Sequence, residues 1–138
     1  MSNCIFCKII KGDIPADKVW DSDDIFAFLD INPVNLGHVL VIPKKHFASL
    51  ETTPDEIACE MMKAAKKIGL VMNDAIGADG FNLGLNNGKV AGQAVEHVHF
   101  HVMPRFVGDG LTLWPGKETT GEQRSETAKK IRRLLISK

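Results

Sequence analysis

The 138-residue chain carries 17 basic and 17 acidic side chains that cancel, with 44% hydrophobic and 25% charged residues, the composition of one ordinary globular domain. That balance gives no electrostatic basis for binding nucleic acid or a membrane surface, and no apolar run approaches the ~20 residues that span a bilayer. Met1-Ser2-Asn3-Cys4 does not open a signal peptide, and three cysteines in a chain too large to need disulfides point to a reducing cytosol.

Cys4-Ile5-Phe6-Cys7 is a Cys-x2-Cys pair followed by Lys8-Ile9-Ile10-Lys11-Gly12, a short turn of helix closed by glycine. Alone, such a pair is equally half a zinc site or two packed thiols. Val19-Trp20 and Ile25-Phe26-Ala27-Phe28-Leu29 flank Asp21-Ser22-Asp23-Asp24, which predicts a hairpin, and Asp30-Ile31-Asn32-Pro33 breaks the chain at its end. Residues 36–43, nearly continuously apolar, predict a central third strand. Thr53-Pro54-Asp55-Glu56 reads as a capping box with Thr53 at the N-cap and Pro54 at the first helical position. Ile57, Met61, Ala64, Ala65, Ile68, Met72 and Ala75 then recur at helical spacing up to Gly77. Cys59, about 200° round the helix from Ile57, lies off that stripe.

Phe81-Asn82-Leu83-Gly84-Leu85 predicts a fourth strand, and the glycine-containing connection from Asn86 to Gln93 leads into residues 96–103. After Pro104-Arg105 the periodicity lapses until a last helix from about Glu122 to Ile136. That helix is expected to bury Ile131, Leu134 and Leu135 and to solvate Lys129, Lys130, Arg132 and Arg133. Strands, then a helix, then strands predict an α+β domain with an antiparallel meander.

Glu96-His97-Val98-His99-Phe100-His101-Val102-Met103 alternates strictly, which predicts a half-buried strand with Val98, Phe100 and Val102 on one face and three histidines on the other. Same-face residues two apart stand about 6.6–6.8 Å from each other, so His97 and His101 are about 13 Å apart. One metal ion with bonds near ~2 Å cannot hold all three. Either one histidine serves a metal and two the chemistry, or all three line an extended substrate. Neutral imidazole is a competent nucleophile toward phosphorus near pH 7, and a neighbour two residues on can support the leaving group. The middle histidine alone has same-face neighbours on both sides, and the backbone carbonyl of His97 is placed to accept a proton from one nitrogen of His99, leaving the other free. Gly92-Gln93-Ala94 can turn backbone N–H groups toward an anion, and Asn86 adds a side-chain donor.

His97-Val98-His99-Phe100-His101-Val102-Met103 resembles the signature of the histidine triad (HIT) family of nucleotide hydrolases and transferases. The likeness extends through the Cys4–Ile10 stretch, residues 28–31, residues 37–46 and Ala91-Gly92-Gln93. It implies a single HIT domain over 1–138, with an N-terminal zinc-binding segment at about 1–12 and a C-terminal loop and helix at about 106–138. The implied sheet has about five strands, with one long helix and a C-terminal helix, in a two-fold homodimer. By the same resemblance His99 is the nucleophile on the α-phosphorus, and His101 and His38 bond the phosphate and leaving-group oxygens. Asn86 and the Gly92-Gln93-Ala94 backbone complete the phosphate pocket. Asp30 takes the ribose hydroxyls, with Phe6, Ile9, Phe28 and Ile31 around the base. Members with two N-terminal cysteines, the bacterial zinc-containing ones of the Hint-like branch, imply a closed structural zinc on Cys4, Cys7, His46 and His97.

The implied activity is cleavage of the α-phosphate bond of purine nucleoside phosphoramidates or related esters (AMP or GMP derivatives) through a nucleotidyl-histidine. The alternatives are a dinucleoside polyphosphate hydrolase and a nucleotide-binding adaptor with vestigial activity. Ala94 stands where several members have a hydroxyl residue, and Glu96 where an apolar or aromatic one is common. Asn86 is similar to the phosphoramidate branch, whereas Met103-Pro104-Arg105 is similar to the dinucleoside-polyphosphate branch. No nucleic-acid or membrane partner is expected, and the expected location is cytoplasmic.

Overall fold

The computed structural model describes residues 3–136; the expected domain ends at 1 and 138, and the Met1-Ser2 start, lie outside them. Helix α1 (Ile5–Lys11) opens with Cys4 as its N-cap and closes at Gly12 in the left-handed region. Strands β1 (Lys18–Asp21), β2 (Ile25–Leu29) and β3 (Val39–Pro43) follow, then a 3-10 turn at Leu50–Thr52 and the long α2 (Asp55–Ile76). Strand β4 (Gly80–Leu85), a second 3-10 turn (Lys89–Ala91), β5 (Phe100–Arg105) and α3 (Gly121–Ile136) complete the chain. The five strands pair antiparallel in the order β1-β2-β3-β5-β4, so the chain crosses through α2 to lay β4 at the edge before β5 fills the gap beside β3.

The predicted hairpin forms, its turn held by Ser22, whose hydroxyl donates to the Ile25 carbonyl and accepts from the Ile25 amide. All five residues of β3 are buried, as its unbroken apolar run requires of a strand covered on both faces. Cross-strand partners share a face. Val39 opposite Val102 and Val41 opposite Phe100 therefore look toward α2, where Met61, Ala64, Ala65, Ile68 and Met72 pack on them. Leu40 stands opposite both Phe28 and His101, so the other face carries the histidines together with a second apolar cluster of Phe6, Phe26, Phe28, Leu40 and Ile42. Thus α1 and α2 cover opposite faces of one sheet.

Four expectations are corrected. The histidine strand begins at Phe100 rather than 96, because the Val98 amide donates to the Phe47 carbonyl (2.8 Å) instead of joining a ladder. Thr53 does not cap α2: its hydroxyl bonds the Ser49 carbonyl (2.8 Å) in the preceding turn, and Pro54 is the N-cap. Ala75 is exposed although it continues the stripe, whereas Cys59 is exposed as expected. Helix α3 buries none of its residues, and Ile131, Leu134 and Leu135 are exposed. Among the described residues the sheet takes its helical cover on the face away from the histidines from α2 rather than from α3.

Candidate active site

Cys4 and Cys7 are brought together by the first turn of α1, where the Cys7 amide donates to the Cys4 sulfur at 3.4 Å. His46 follows β3, and His97 lies in the bend that leads into β5. Their ligand atoms all fall within 4.8 Å of one another. Cys4 Sγ is 3.4 Å from His97 Nδ1, Cys7 Sγ is 3.4 Å from His46 Nδ1, and Cys7 Sγ is 3.6 Å from His97 Nδ1. Zinc bonds of ~2.3 Å to sulfur and ~2.0–2.1 Å to nitrogen, set tetrahedrally, hold a sulfur and a nitrogen about 3.5 Å apart, so the donors already stand at zinc spacing. His97 Nε2 donates to the Pro43 carbonyl at 2.8 Å, which leaves Nδ1 as the lone-pair nitrogen facing the sulfurs. Burial lowers its pKa to about 4, so the ring is neutral and fit to ligate. Two sulfurs and two nitrogens make a closed set suited to a structural ion.

Hydrogen bonds to backbone groups fix the protons of the other histidines. His99 Nδ1 lies 2.7 Å from the His97 carbonyl, which can only accept. Nδ1 therefore carries the proton, and Nε2 has a bare lone pair. Phe6 packs edge-on against the His99 ring, with centroids 5.2 Å apart. His38 is read from its other end: the Val34 amide donates to its Nδ1 at 3.1 Å, so the His38 proton sits on Nε2. That N–H donates to His101 Nδ1 at 2.9 Å, which puts the His101 proton on Nε2. His101 Nε2 is buried and has no acceptor among the described residues. A chain of two imidazoles thus runs from a backbone amide to one undelivered proton beside a bare nitrogen, with the His99 and His101 rings 5.0 Å apart. Burial lowers the pKa of His38 and His99, and that of His101 to about 4, so all three are neutral near pH 7.

Asp30, at the end of β2, has Oδ2 3.7 Å from His38 Nε2 and Oδ1 accepting from the Asn32 amide at 2.8 Å. Asp30, His38 and His101 are close enough together to hold a metal. The Val34 amide decides against it, because the His38 nitrogen facing the other two carries a proton rather than a lone pair. Asp30 instead lies beside a His38–His101 hydrogen-bonded pair.

Of the loop from Asn86 to Ala94, Asn86 lines the space beside His38 and His101, whereas Ala94 lines a separate cavity with Cys4 and His46. Gly92 holds φ at +97°, and a Cβ there would press within 3.3 Å of Asn86 Nδ2. The Gly92 and Gln93 amides close the turn onto the Lys89 and Gly88 carbonyls, whereas the Ala94 amide has no acceptor among the described residues. The Gln93 side chain accepts from the Gly88 amide and donates to the carbonyls of Ala48 and Val95, so it clamps the loop. Phe6 and Phe28 are buried, Ile9 is half-buried and Ile31 is 87% exposed. Opposite His101 on β4 stands Gly84, and both line a cavity of about 610 Å3 together with His38, Asn82, Asn86, Met103 and Trp114.

Sequence reasoning did not foresee Val34, Pro43 or Asp109. The first two act through backbone groups, which leave no mark in side-chain pattern. Asp109, in the aperiodic stretch, receives both the Nε (2.8 Å) and Nη2 (3.1 Å) of Arg105, the Asn35 amide group, and the backbone amides of Phe106 and Leu111. It folds the segment carrying Leu111 and Trp114 over the cavity. An acidic residue between two glycines, four after an arginine, was the available signal.

A HIT domain matches residues 11–108. Over 129 residues the chain is 48% identical to an uncharacterized HIT-like protein of Methanocaldococcus jannaschii, covering 94% of this chain and 98% of that one. It is 43% identical over 130 residues to an adenosine 5'-monophosphoramidase of Saccharomyces cerevisiae, covering 93% and 80%. A crystal structure of a zinc-bound histidine triad family protein from Mycobacterium smegmatis superposes with a TM-score of 0.78 at 38% identity, covering 85% of each chain. With the signature histidines arranged as described, the chain belongs to the HIT-domain family.

Proposed function

We propose that this protein hydrolyses purine nucleoside phosphoramidates, or closely related nucleotide esters, through a covalent nucleotidyl-His99. The observation that carries the reading is the bare His99 Nε2 beside the undelivered His101 Nε2–H. The lone pair of His99 attacks the α-phosphorus and the P–N bond to the amine breaks, while the His101 proton moves to the departing nitrogen; the negative charge left on the His101 ring is balanced by the positive charge gained by the phosphorylated His99 ring 5.0 Å away. The phosphorylated ring gains positive charge, which the Nδ1–H bond to the His97 carbonyl disperses. Water then attacks phosphorus, gives its proton back to His101 Nε2, and releases the nucleoside monophosphate as the P–Nε2 bond breaks.

Asn86 and the Ala94 amide are the phosphate donors, Asp30 accepts the ribose hydroxyls, and Phe6, Ile9, Phe28 and Ile31 border the base. Cys4, Cys7, His46 and His97 would hold a structural zinc, which would keep rigid the residue whose carbonyl orients the nucleophile. The zinc-bound mycobacterial relative supports that ion, and the yeast monophosphoramidase supports the substrate class. Arg105 gives its guanidinium to Asp109, Asn82 and Leu111, which leaves it poorly placed for a polyphosphate and favours a phosphoramidate over a dinucleoside polyphosphate. The working unit is a homodimer, in keeping with the exposed apolar side chains of α3. Three free cysteines suit a reducing cytoplasm, and no helix among the described residues is long and apolar enough to cross a membrane.

Rapid acid-free quenching with adenosine 5'-phosphoramidate, followed by peptide mass analysis, tests the reading. The expected result is an adenylyl adduct on His99 at kinetically competent rates. Product formation with no adduct in a single turnover would replace the covalent route with direct attack by water.

A further inference from the structure

On the sheet face opposite the histidines, an apolar groove of about 320 Å3 runs between the second half of α2 and the β1–β3 end of the sheet. Its walls include Val19, Leu29, Val71, Ala75 and Ile76. Val71 is 56% exposed, so this is apolar surface left uncovered rather than a closed core. Two polar groups belong to it, and the proposed catalytic cycle uses neither. Lys67 Nζ lies 5.5 Å above the Trp20 ring, and the Trp20 indole nitrogen is buried with no acceptor among the described residues. Both are donors. A buried N–H without an acceptor is costly, and the one formal charge in the wall is positive. A fitting ligand is therefore apolar along its body and anionic, accepting at its head.

We propose that the groove is a second binding site, taking a medium-chain carboxylic acid as its anion. The alkyl chain lies along Val19, Leu29, Val71 and Ile76, and the carboxylate accepts from the Lys67 ammonium and the Trp20 indole N–H. The volume falls at the small end of the ~300–1,000 Å3 of small-molecule sites, which suits a chain on the order of ten carbons. A second copy's α3 is a poorer occupant: its apolar Ile131 and Leu135 travel with Lys129, Lys130, Arg132 and Arg133, which would meet Lys67 with like charge.

Trp20 reports on the site directly. The chain has two tryptophans, so Trp114→Phe leaves Trp20 as the sole indole. In that full-length protein, decanoate below its micellar concentration is expected to change Trp20 emission saturably. Decanol, which has the same chain without the charge, should bind about tenfold more weakly, and Lys67→Met should erase that preference. Ala75→Phe, which fills the groove, should abolish the response while circular dichroism shows the helices intact. Lys67→Met changes only an exposed position, so its comparison stands if Ala75→Phe fails to fold. Emission unchanged by decanoate, as a groove already capped by another copy would give, overturns the proposal. So does equal binding of decanol and decanoate. Neither outcome bears on the phosphoramidase reading, because the groove and the histidines lie on opposite faces.

Discussion

Replacing His101 with alanine separates proton delivery from covalent attack. His101 makes two bonds that matter: it accepts from His38 Nε2 at 2.9 Å, and it holds a proton on Nε2 for the departing group. An amine leaving from phosphorus as an anion is prohibitively basic, so loss of that proton should lower turnover of adenosine 5'-phosphoramidate by about 10²–10⁴-fold, the usual worth of a positioned acid. A p-nitrophenyl ester of AMP departs as a stable phenolate and needs no proton. For it the variant loses one neutral hydrogen bond to the departing oxygen, about 0.5–1.5 kcal/mol, or roughly two- to tenfold. The fold should survive, because His101 is half-buried and faces Gly84 across β4–β5. The stranded His38 N–H costs stability of about 1–3 kcal/mol, visible in a melting curve. The assay is kcat for both substrates in parent and variant. Equal losses for the two would refute the proton chain from Val34 through His38 to His101.

Removing the metal should act on stability before chemistry: purified protein is expected to hold one zinc per chain, and a strong chelator should lower the melting temperature. Protein that contains no zinc and ignores the chelator argues for packed thiols instead. Asp30→Ala should weaken nucleoside monophosphate binding by about one to two decades, since a carboxylate accepting ribose hydroxyls makes hydrogen bonds worth about 1.5–3 kcal/mol. Unchanged affinity by calorimetry removes Asp30 from the ribose. Acid should destabilise the chelated protein early. Folded His97 and His101 have pKa values lowered to about 4 from the ordinary 6.5, so below pH 6.5 the unfolded chain takes up protons that the folded one refuses. Their contribution is complete above pH 6.5 and is lost as the pH falls toward 4. Urea midpoints should therefore decline between pH 6.5 and 5, ahead of the carboxylates, and less so in His101→Ala; a flat profile in that window contradicts the burial argument.

The parts of this molecule that were legible in its sequence are those whose signal is a periodicity. Val98, Phe100 and Val102 alternate with the histidines and are buried under α2 as that alternation requires, and Met61 through Met72 form the stripe that covers them. What periodicity cannot carry is the identity of a partner. The apolar positions of α3 show that the helix needs a cover without saying whose, so burial within the chain was the wrong inference for Ile131 and Leu135. Thr53 has the chemistry of a cap, but Ser49 lay within reach of the same hydroxyl, and the nearer turn took it.

The protons of the histidine cluster sharpen the point. Three histidines in alternation announce chemistry, yet what each nitrogen does is decided by the Val34 amide, the Pro43 carbonyl and the His97 carbonyl, groups that every residue type except proline's missing amide would supply equally. His97 stands at the junction. Pro43 turns its Nδ1 to the thiols, while its own carbonyl turns His99 Nε2 loose, so one residue ties the cysteine–histidine cluster to the proposed nucleophile through a single peptide unit. A displacement of the cysteine segment that rotates that peptide would therefore reach His99 as a lost 2.7 Å bond and a freed tautomer, without any change in a residue that touches substrate.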